Sequence, residues 1–453
     1  MSTAHDNTRE TGMRKVVFAS AVGTTVEWYD FFLYGSVAAL VFNSVFFPSF
    51  DPLVGTLLAL AGYAVGFVAR PLGGLVFGHF GDLVGRKKML VVSLLLMGGA
   101  TVAIGLVPSY DSIGVAAPII LVCLRLLQGF AVGGEWGGAV LMLSERGDGR
   151  RRGFWTAWAQ SGLALGQALS VAVLAIFAVT MSDATFEAWG WRIPFLLSGI
   201  LVVVGLWVRV SIAESEVFLR AQRTQRPRKT PLVVVLKHYK RELLIAMGAR
   251  FCENIAGYVF TVFVLTYSTS HAGFDRYDAL LAVFIAALVQ FVGILGWSHL
   301  SDRVGRRPVI LLGAIGLGAW SFFAFPLIDT GTTALLIVAV AVGLFFHAAS
   351  FGPQGAFFSE LFGTSVRYSG ASIGAQFASI FAGSVAPLIS VALLDGFGSS
   401  VPISIYIAFG AVITIVAVTL SRETVNKDLN FDTDTAATAE ASENVTMHKT
   451  DRT

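Results

Sequence analysis

Long apolar runs alternate with short polar segments along most of the chain. Twelve of these runs are long enough to cross a bilayer as helices, which takes roughly 20 mostly apolar residues. We number them spans 1 to 12, and they lie at 16–42, 53–77, 89–108, 114–144, 154–181, 191–210, 242–268, 278–300, 308–328, 333–361, 370–394 and 402–421. The pattern predicts an all-α integral membrane protein with twelve transmembrane helices.

A short charged phrase occurs twice in this pattern, each time between two apolar runs. It reads "GHFGDLVGRKK" at 78–88, after span 2, and "SHLSDRVGRR" at 298–307, after span 8. Equivalent placement in the first and second six spans indicates an internal repeat. We therefore predict two pseudo-symmetric six-helix halves. The predicted parts are an N-terminal tail at 1–15, the first half at 16–210, a central loop at 211–241, the second half at 242–421 and a disordered C-terminal tail at 422–453.

The composition changes this picture little but excludes several classes of protein. Apolar residues make up 55% of the chain, charged residues make up 13%, and the mean hydropathy is +0.72. Soluble domains carry about 25% charged residues, so we expect a lipid bilayer around most of this protein. The net charge of +3 gives no reason to expect a nucleic-acid partner. Cys123 and Cys252 lie in apolar runs, so we expect them to pack, with no disulfide and no metal site.

The distribution of Lys and Arg predicts the orientation, because cytoplasmic loops carry an excess of these residues. With the N-terminus inside, the predicted cytoplasmic segments hold most of them, and only Arg192 and Arg276 fall outside. Arg70, Arg125 and Arg250 lie within spans. We therefore predict a multi-pass plasma-membrane protein with both termini in the cytoplasm.

Ionisable residues within spans are the first candidates for function, because each costs roughly 2.5–3.5 kcal/mol on insertion scales. Glu27 in span 1 and Glu253 in span 7 lie near the predicted membrane midplane, and Asp30 shares a helix face with Glu27. A buried carboxylate can take up and release a proton, so these three are the predicted proton-coupling residues. Arg125 and Arg250 could hold a carboxylate through two parallel hydrogen bonds, and we predict that they bind substrate.

A structural alternative remains open for the same charges. Asp30 with Arg125, or Glu253 with Arg250, could form ion pairs that merely cancel two charges. For Arg70, near the predicted cytoplasmic end of span 2, we expect a local pairing role rather than substrate contact.

Polar side chains within the spans are weaker candidates for substrate binding. Gln160 and Gln376 occupy equivalent positions of spans 5 and 11. His347 in span 10 could relay protons, although a single histidine in an apolar helix more often only packs. Besides the two arginines, the predicted substrate-binding residues are Tyr29, Gln128, Gln160, Asn254 and Gln376.

Several phrases resemble the major facilitator superfamily, and within it the metabolite:proton symporter family. The repeated phrases follow its G-x-x-x-D-x-x-G-R-K/R motif, although Ser298 replaces the first Gly of the second copy. The resemblance covers about residues 15–425, and its more specific phrases are "EWYDFFLYG", "VARPLGGLVFGHFGD", "LLQGFAVGGEWGGA", "WGWRIPFLLSG" and "GPQGAFFSELFGTSVRYSGAS". It implies the major facilitator fold and transport by alternating access, with no enzymatic activity and no cofactor beyond a proton gradient.

The resemblance also implies that the repeated motif closes an inner gate. Its glycines allow a tight turn, and Asp82 can interact with the N-terminus of a facing helix. Arg86 and Lys87 can pair with Glu145, as Arg306 can with Glu360, although these cations could instead serve only to orient the chain. The predicted gating residues are Gly78, Asp82, Gly85, Arg86, Lys87, Glu145, Arg152, Asp302, Gly305, Arg306, Glu360 and Arg367.

These observations predict a secondary transporter that takes up a small organic acid together with protons. A shikimate-like acid or a dicarboxylate is the first expectation. The alternatives are a proton-coupled carrier of osmolytes such as proline or betaine, an efflux antiporter and a receptor that does not transport. The oligomeric state stays open, and we expect the monomer to be the working unit.

Overall fold

The computed structural model describes residues 2–84, 86–133, 136–211, 231–363, 366–425 and 427, and every regular element in these parts is a helix. The first half contains span 1 (Ser2–Leu40), span 2 (Pro52–Val84), span 3 (Arg86–Leu106), span 4 (Ala116–Val132 and Trp136–Arg146), span 5 (Arg152–Thr180) and span 6 (Arg192–Ser211). Short helices at Phe42–Phe46, Tyr110–Ile113, Gly149–Arg151, Asp183–Thr185 and Phe186–Gly190 lie in the connections.

The second half repeats this arrangement with more irregular helices. Pro231–His238 precedes span 7, which consists of Lys240–Ala249, Phe251–Tyr258, Val259–Phe263, Val264–Thr266 and Tyr267–His271. The remaining spans are span 8 (Arg276–Val304), span 9 (Arg306–Ile328), span 10 (Thr333–Phe351 and Gln354–Leu361), span 11 (Arg367–Ala378, Ser379–Ser384 and Ala386–Phe397) and span 12 (Val401–Leu420). Twelve spans in two six-helix halves confirm the predicted fold class.

Length and hydropathy alone identify fewer spans than the fold contains. Among the described helices, eight are long and apolar enough to cross a membrane, and a ninth is obtained if Asp183–Gly190 and Arg192–Val208, bent by 47°, count as one. Val91–Leu106 and Ala116–Val132 are shorter apolar helices.

Several boundaries differ from the prediction. The helix of span 1 begins at Ser2, so it includes most of the predicted N-terminal tail. Span 7 is interrupted at Arg250, which ends one helix and precedes the next. Apolar periodicity does not reveal such a break, because the residues on both sides remain apolar.

Glycines bring spans 2 and 4 into unusually close contact. A Cβ atom added at Gly129 would collide with the backbone carbonyl of Gly66, and one added at Gly133 would collide with that of Arg70. Small residues allow this kind of approach between helices in lipid. Span 4 therefore lies directly against the segment of span 2 that carries Arg70.

Spans 5 and 8 join the two halves, since span 5 packs along span 8 as well as along span 1. We call the end of the molecule that holds the second repeated motif the motif end, and the end that holds Arg276 the opposite end. Both ends carry contacts between the halves.

Candidate functional site

A cavity lies within the first half, between spans 1, 2, 3 and 4. Its empty volume, including space open to solvent, is about 250 Å³. Its lining residues are Glu27, Asp30, Phe31, Gly66, Arg70, Met97, Arg125, Gln128, Gly129 and Val132. Four ionisable side chains therefore surround one small volume in the interior of the first half.

Arg125 is held in place by several polar and aromatic contacts. Its Nη1 donates to Gln128 Oε1 at 2.8 Å, and its Nη2 donates to the carbonyl of Tyr63 at 3.4 Å. The guanidinium carbon lies 3.9 Å from the centroid of the Tyr34 ring. Gly66 leaves room for this arrangement, because a Cβ atom there would lie 3.0 Å from Nη2.

The two carboxylates of span 1 face the same cavity, and both are almost fully buried. Glu27 is 4% exposed and Asp30 is 1% exposed. Neither oxygen of Asp30 has a hydrogen-bond partner among the described residues. Asp30 and Arg125 form no described ion pair at contact distance, and the two opposite charges attract each other across the cavity.

A second charged cluster lies in the second half, at the break of span 7. Arg250 Nε lies 3.1 Å from Glu253 Oε1, and His347 Nε2 lies 3.3 Å from Glu253 Oε2. His347 Nδ1 lies 2.8 Å from Gln290 Nε2. With the Gln290 amide donating, Nδ1 accepts and Nε2 keeps the proton that it donates to Glu253. Glu253 and Arg250 thus form the ion pair that the sequence left open as a structural alternative.

Aromatic rings connect the two clusters. Tyr258 in span 7 lies 5.4 Å from Phe67, 5.9 Å from Phe31 and 5.9 Å from Tyr63, measured between ring centroids. Phe31 and Phe67 contact the arginines of the cavity. The second half thus contributes a ring to the edge of the site in the first half.

The weaker polar candidates occupy different places. Tyr29 donates its hydroxyl proton to the carbonyl of Pro194 at 2.9 Å, so this group faces span 6 rather than the cavity. Gln160 donates to the carbonyl of Phe351 across the interface between the halves. Asn254 belongs to the Glu253 cluster, since its amide donates to Glu253 at 3.2 Å, and Gln376 is half-buried on span 11. Their role in substrate binding stays a prediction.

At the motif end, Glu360 is shared by both halves. Arg306 Nη2 approaches it within 3.2 Å and Arg152 Nη1, from the first half, within 2.8 Å. The hydroxyl of Thr424 donates to its other oxygen at 2.7 Å. Glu360 and Arg306 have no exposed surface, so this network is enclosed by protein.

The second repeated motif binds a helix N-terminus of the other half. Asp302 accepts hydrogen bonds from the backbone N–H groups of Gly153 at 2.8 Å and Phe154 at 2.9 Å, at the start of span 5. Its Oδ1 also pairs with Arg306 at 2.6 Å. Gly305 has a φ of 103°, a conformation that favours glycine. An aspartate at a helix N-terminus is stabilised by the helix dipole.

Further contacts across the halves flank this network. Ser144 donates to Ser359 at 2.8 Å, and Glu145 lies 3.6 Å from Arg367. Glu145 of the first half thus contacts Arg367 of the second half. The first copy of the motif cannot be compared, because Gly85 and the side chains of Gly78, Asp82, Arg86 and Lys87 lie outside the described parts of the chain.

Sequence reasoning missed Glu423, which follows span 12. Its carboxylate accepts from the backbone N–H groups of Arg306 at 2.9 Å and Arg307 at 3.1 Å, at the start of span 9. Burial alone would raise the pKa of Glu423, but the hydrogen bonds from backbone amides lower it below the ordinary value. The first residues of the predicted disordered tail therefore belong to the motif-end network. A single acid placed just after a terminal span was the only available signal.

The opposite end has a smaller contact between the halves. Arg276 of span 8 lies 3.1 Å from Asp183 and 2.7 Å from Glu187, both from the first half. Its guanidinium also lies 5.0 Å from the ring of Phe186. The Asp183 side chain is 88% exposed, so this contact is largely hydrated.

Comparison with known proteins agrees with this architecture. The family model of the Major Facilitator Superfamily matches residues 20–384 and, in a second match, 248–445. The chain belongs to the major facilitator superfamily. It is 40% identical over 415 residues to the shikimate transporter of Escherichia coli K12, with 90% of this chain and 94% of the relative covered. It is 39% identical to the inner membrane metabolite transport protein YhjE of the same strain, with 92% and 95% covered.

More distant relatives include transporters of other substrates. The chain is 32% identical over 436 residues to the proline/betaine transporter of Escherichia coli K12, covering 94% of this chain and 86% of the relative. The solved proton:xylose symporter XylE shares the fold, with a TM-score of 0.72 at 20% identity over 93% of this chain and 98% of that one. The shikimate transporter and YhjE confirm the predicted metabolite:proton symporter family. The chain is a membrane transporter and not an enzyme.

Proposed function

We propose that the chain is a proton-coupled symporter that imports a small organic acid across the plasma membrane by alternating access. A shikimate-like acid is the first candidate cargo, and a dicarboxylate the second. The proton gradient is the driving force, without a cofactor, and the monomer is the working unit. The motif end and both termini face the cytoplasm, as the distribution of Lys and Arg favours.

The observation that carries this proposal is Asp30. It lies beside two arginines in a cavity, and both of its oxygens are buried without a well-formed hydrogen bond to any described residue, with only the Thr101 hydroxyl and the Arg125 charge nearby to stabilise them. An ionised carboxylate without a partner is costly in such surroundings, and binding a proton removes that cost. Glu27 lines the same cavity. Protonation of either residue would make the cavity more positive and so favour the entry of an anion.

The second charged cluster, at the break of span 7, contributes differently to this mechanism. Arg250, Glu253 and His347 already contact one another, so the charge of Glu253 is largely compensated there. We therefore place the main proton-coupling step at Glu27 and Asp30, with Glu253 and its partners as a second site for a proton. Arg250 would bind substrate only if it left Glu253.

Uptake into proteoliposomes tests the proposal. Labelled shikimate, 2-oxoglutarate and proline would be offered with an inward proton gradient, with and without a protonophore. We expect gradient-dependent accumulation of an acid in the wild type. Asp30→Asn or Glu27→Gln should abolish uphill accumulation but keep exchange, because a neutral residue cannot carry a proton. Asp111→Asn, an exposed acid near the opposite end, is the control. Normal accumulation by both cavity variants would contradict proton coupling through these residues.

The osmolyte carrier is the second candidate, supported by the proline/betaine relatives. Aromatic rings can bind quaternary ammonium groups, and the cavity contains such rings. Here, however, Phe31 and Phe67 already face the guanidinium of Arg70, which would repel a cationic group. Accumulation of proline but of no acid would favour this alternative, and gradient-driven export would favour the antiporter.

A further inference from the structure

Arg70 is a buried cation whose hydrogen-bonding capacity the protein leaves unused. It is 6% exposed and lines the cavity. Among the described residues it has no ion-pair partner, and its Nε–H is buried without an acceptor. Burying a charge without a partner is expensive. No described residue supplies the local pairing expected from the sequence, so a bound anion would satisfy this guanidinium.

The contacts that Arg70 does make leave its N–H donors available. Its guanidinium carbon lies 4.5 Å from the ring centroids of both Phe31 and Phe67, and 5.8 Å from that of Trp28. Cation–π attraction acts through the ring faces and supplies no acceptor for the five N–H groups in the guanidinium plane. A planar set of donors of this kind fits a carboxylate through two parallel hydrogen bonds.

Among the described residues, Arg125 also has a buried Nε–H without an acceptor, but its Nη groups, unlike those of Arg70, are engaged. Its Nη groups donate to Gln128 and to the carbonyl of Tyr63, and Tyr34 covers one face. Both guanidiniums approach the same ring, since Arg125 lies 5.5 Å from the Phe31 centroid. Two like charges at such proximity repel in a low-dielectric interior, and an anion bound between them would relieve this repulsion.

We propose that Arg70 is the principal residue that binds the carboxylate of the substrate, and that Arg125 mainly positions the cavity wall and adds positive charge. This inference rests on the proposed function, because it names the group that recognises the acid. The ligand is a small carboxylate with an apolar ring or chain, which can pack against Phe31.

Binding of matched acid and amide probes tests this assignment without requiring transport. Purified full-length protein in nanodiscs would be titrated with shikimate and with two pairs, benzoate against benzamide and cyclohexanecarboxylate against its carboxamide. Intrinsic tryptophan fluorescence and thermal unfolding would report binding. We expect the wild type to prefer the acid of each pair. Arg70→Gln should lose about tenfold to a hundredfold in acid affinity, as for a lost charge-assisted hydrogen bond, and should bind acid and amide equally.

Companion variants separate recognition from folding. Arg70→Lys keeps the charge but loses the planar donors, so its acid preference should be intermediate. If Arg70→Gln does not fold, Arg70→Lys takes its place in the test. Arg125→Lys should weaken acid and amide together and keep the preference. Arg192→Gln, which removes a guanidinium that donates to the carbonyls of Gly105 and Val107 outside the cavity, should keep the wild-type preference.

The outcomes distinguish this inference from the proposed function. The role of Arg70 would be overturned if folded Arg70→Gln and Arg70→Lys kept the acid preference and Arg125→Lys lost it. The proposed function would then remain intact. If no acid of the panel binds the wild type, the organic-acid proposal fails, and the assignment to Arg70 fails with it.

Discussion

At the scale of single residues, carboxylates hold the motif end together by accepting several hydrogen bonds each. Glu360 accepts from Arg306, Arg152 and Thr424. Glu423 is bound mostly by backbone N–H groups. Hydrogen bonds to a charged acceptor contribute more than neutral ones, so the ionised state of these acids sustains the contact between the halves and the C-terminal segment.

Glu423 gives this arrangement a defined pH dependence. Its pKa lies below the ordinary value of 4.5 in the folded protein. Its contribution to stability is therefore fully present above pH 4.5 and is lost as the pH falls through the lowered pKa. We expect the melting temperature of the wild type to decrease in this acidic range, and that of Glu423→Gln to decrease less.

The melting temperatures of both proteins would be measured in detergent from about pH 3 to about pH 7, a range that includes the pH at which Glu423 takes up its proton. Asp111→Asn is the control, since it removes an exposed acid that has no part in the network. Parallel curves for the wild type and Glu423→Gln would show that the carboxylate charge does not support the folded state.

At the scale of helices, the shape of the cavity depends on the close approach of spans 2 and 4. Gly129 and Gly133 face the backbone carbonyls of Gly66 and Arg70. Any larger residue would move the two helices apart. Arg70 is carried by span 2 and Arg125 by span 4, so the distance between these spans also sets the distance between the two cations.

Replacement of Gly129 tests this contact. Gly129→Ala should destabilise the protein by about 1–3 kcal/mol, the usual range for an overpacked interior, because its Cβ atom would meet the carbonyl of Gly66. Gly99→Ala in span 3 is the matched control, since nothing lies within 4 Å of its added Cβ atom. The yield and melting temperature of detergent-solubilised protein are the measurements. Equal behaviour of the two variants would argue against a tight contact.

The sequence predicts the spans well because each is an apolar run, whereas the partners of their polar residues depend on how the helices are rotated. Asp30 and Arg125 were recognised as intramembrane charges, but the engagement of Arg125 with Gln128 and Tyr63 depends on neighbouring helices. Arg70 was expected to pair locally and instead faces the cavity. Lining residues such as Met97 could not be distinguished from other apolar residues.

At the scale of the whole molecule, the two halves are joined at both ends, and alternating access requires each end to open in turn. The Arg152–Glu360 pair at the motif end is buried, with side-chain exposures of 7% and 0%. At the opposite end, Arg276 pairs with Asp183 and Glu187, whose side chains are 88% and 42% exposed. Because Arg306 and Thr424 also bind Glu360, removing Arg152 costs about 1.5–3 kcal/mol, as for one hydrogen bond to a charged group, whereas exposed pairs typically contribute about 0.2–1 kcal/mol. The opposite end should therefore open more readily.

Cysteine accessibility tests this asymmetry in a background without the two native cysteines. Ser359→Cys reports on the motif end, where Ser359 contacts Ser144, and Thr266→Cys reports on the opposite end, where Thr266 contacts the carbonyl of Ala39. Arg152→Gln should increase maleimide labelling of Ser359→Cys by about tenfold to a hundredfold. Arg276→Gln should increase labelling of Thr266→Cys by about fivefold at most.

The control for these labelling rates is Arg151→Gln, which removes an exposed guanidinium whose described contact is with the Phe154 ring. Because Arg151 forms no described ion pair between the halves, labelling at both reporters should match the parent protein. A larger effect of Arg276→Gln than of Arg152→Gln would reverse the proposed order of gate strengths. The main barrier to opening would then lie at the opposite end, and entry of substrate rather than its release would be the step limited by ion pairs between the halves.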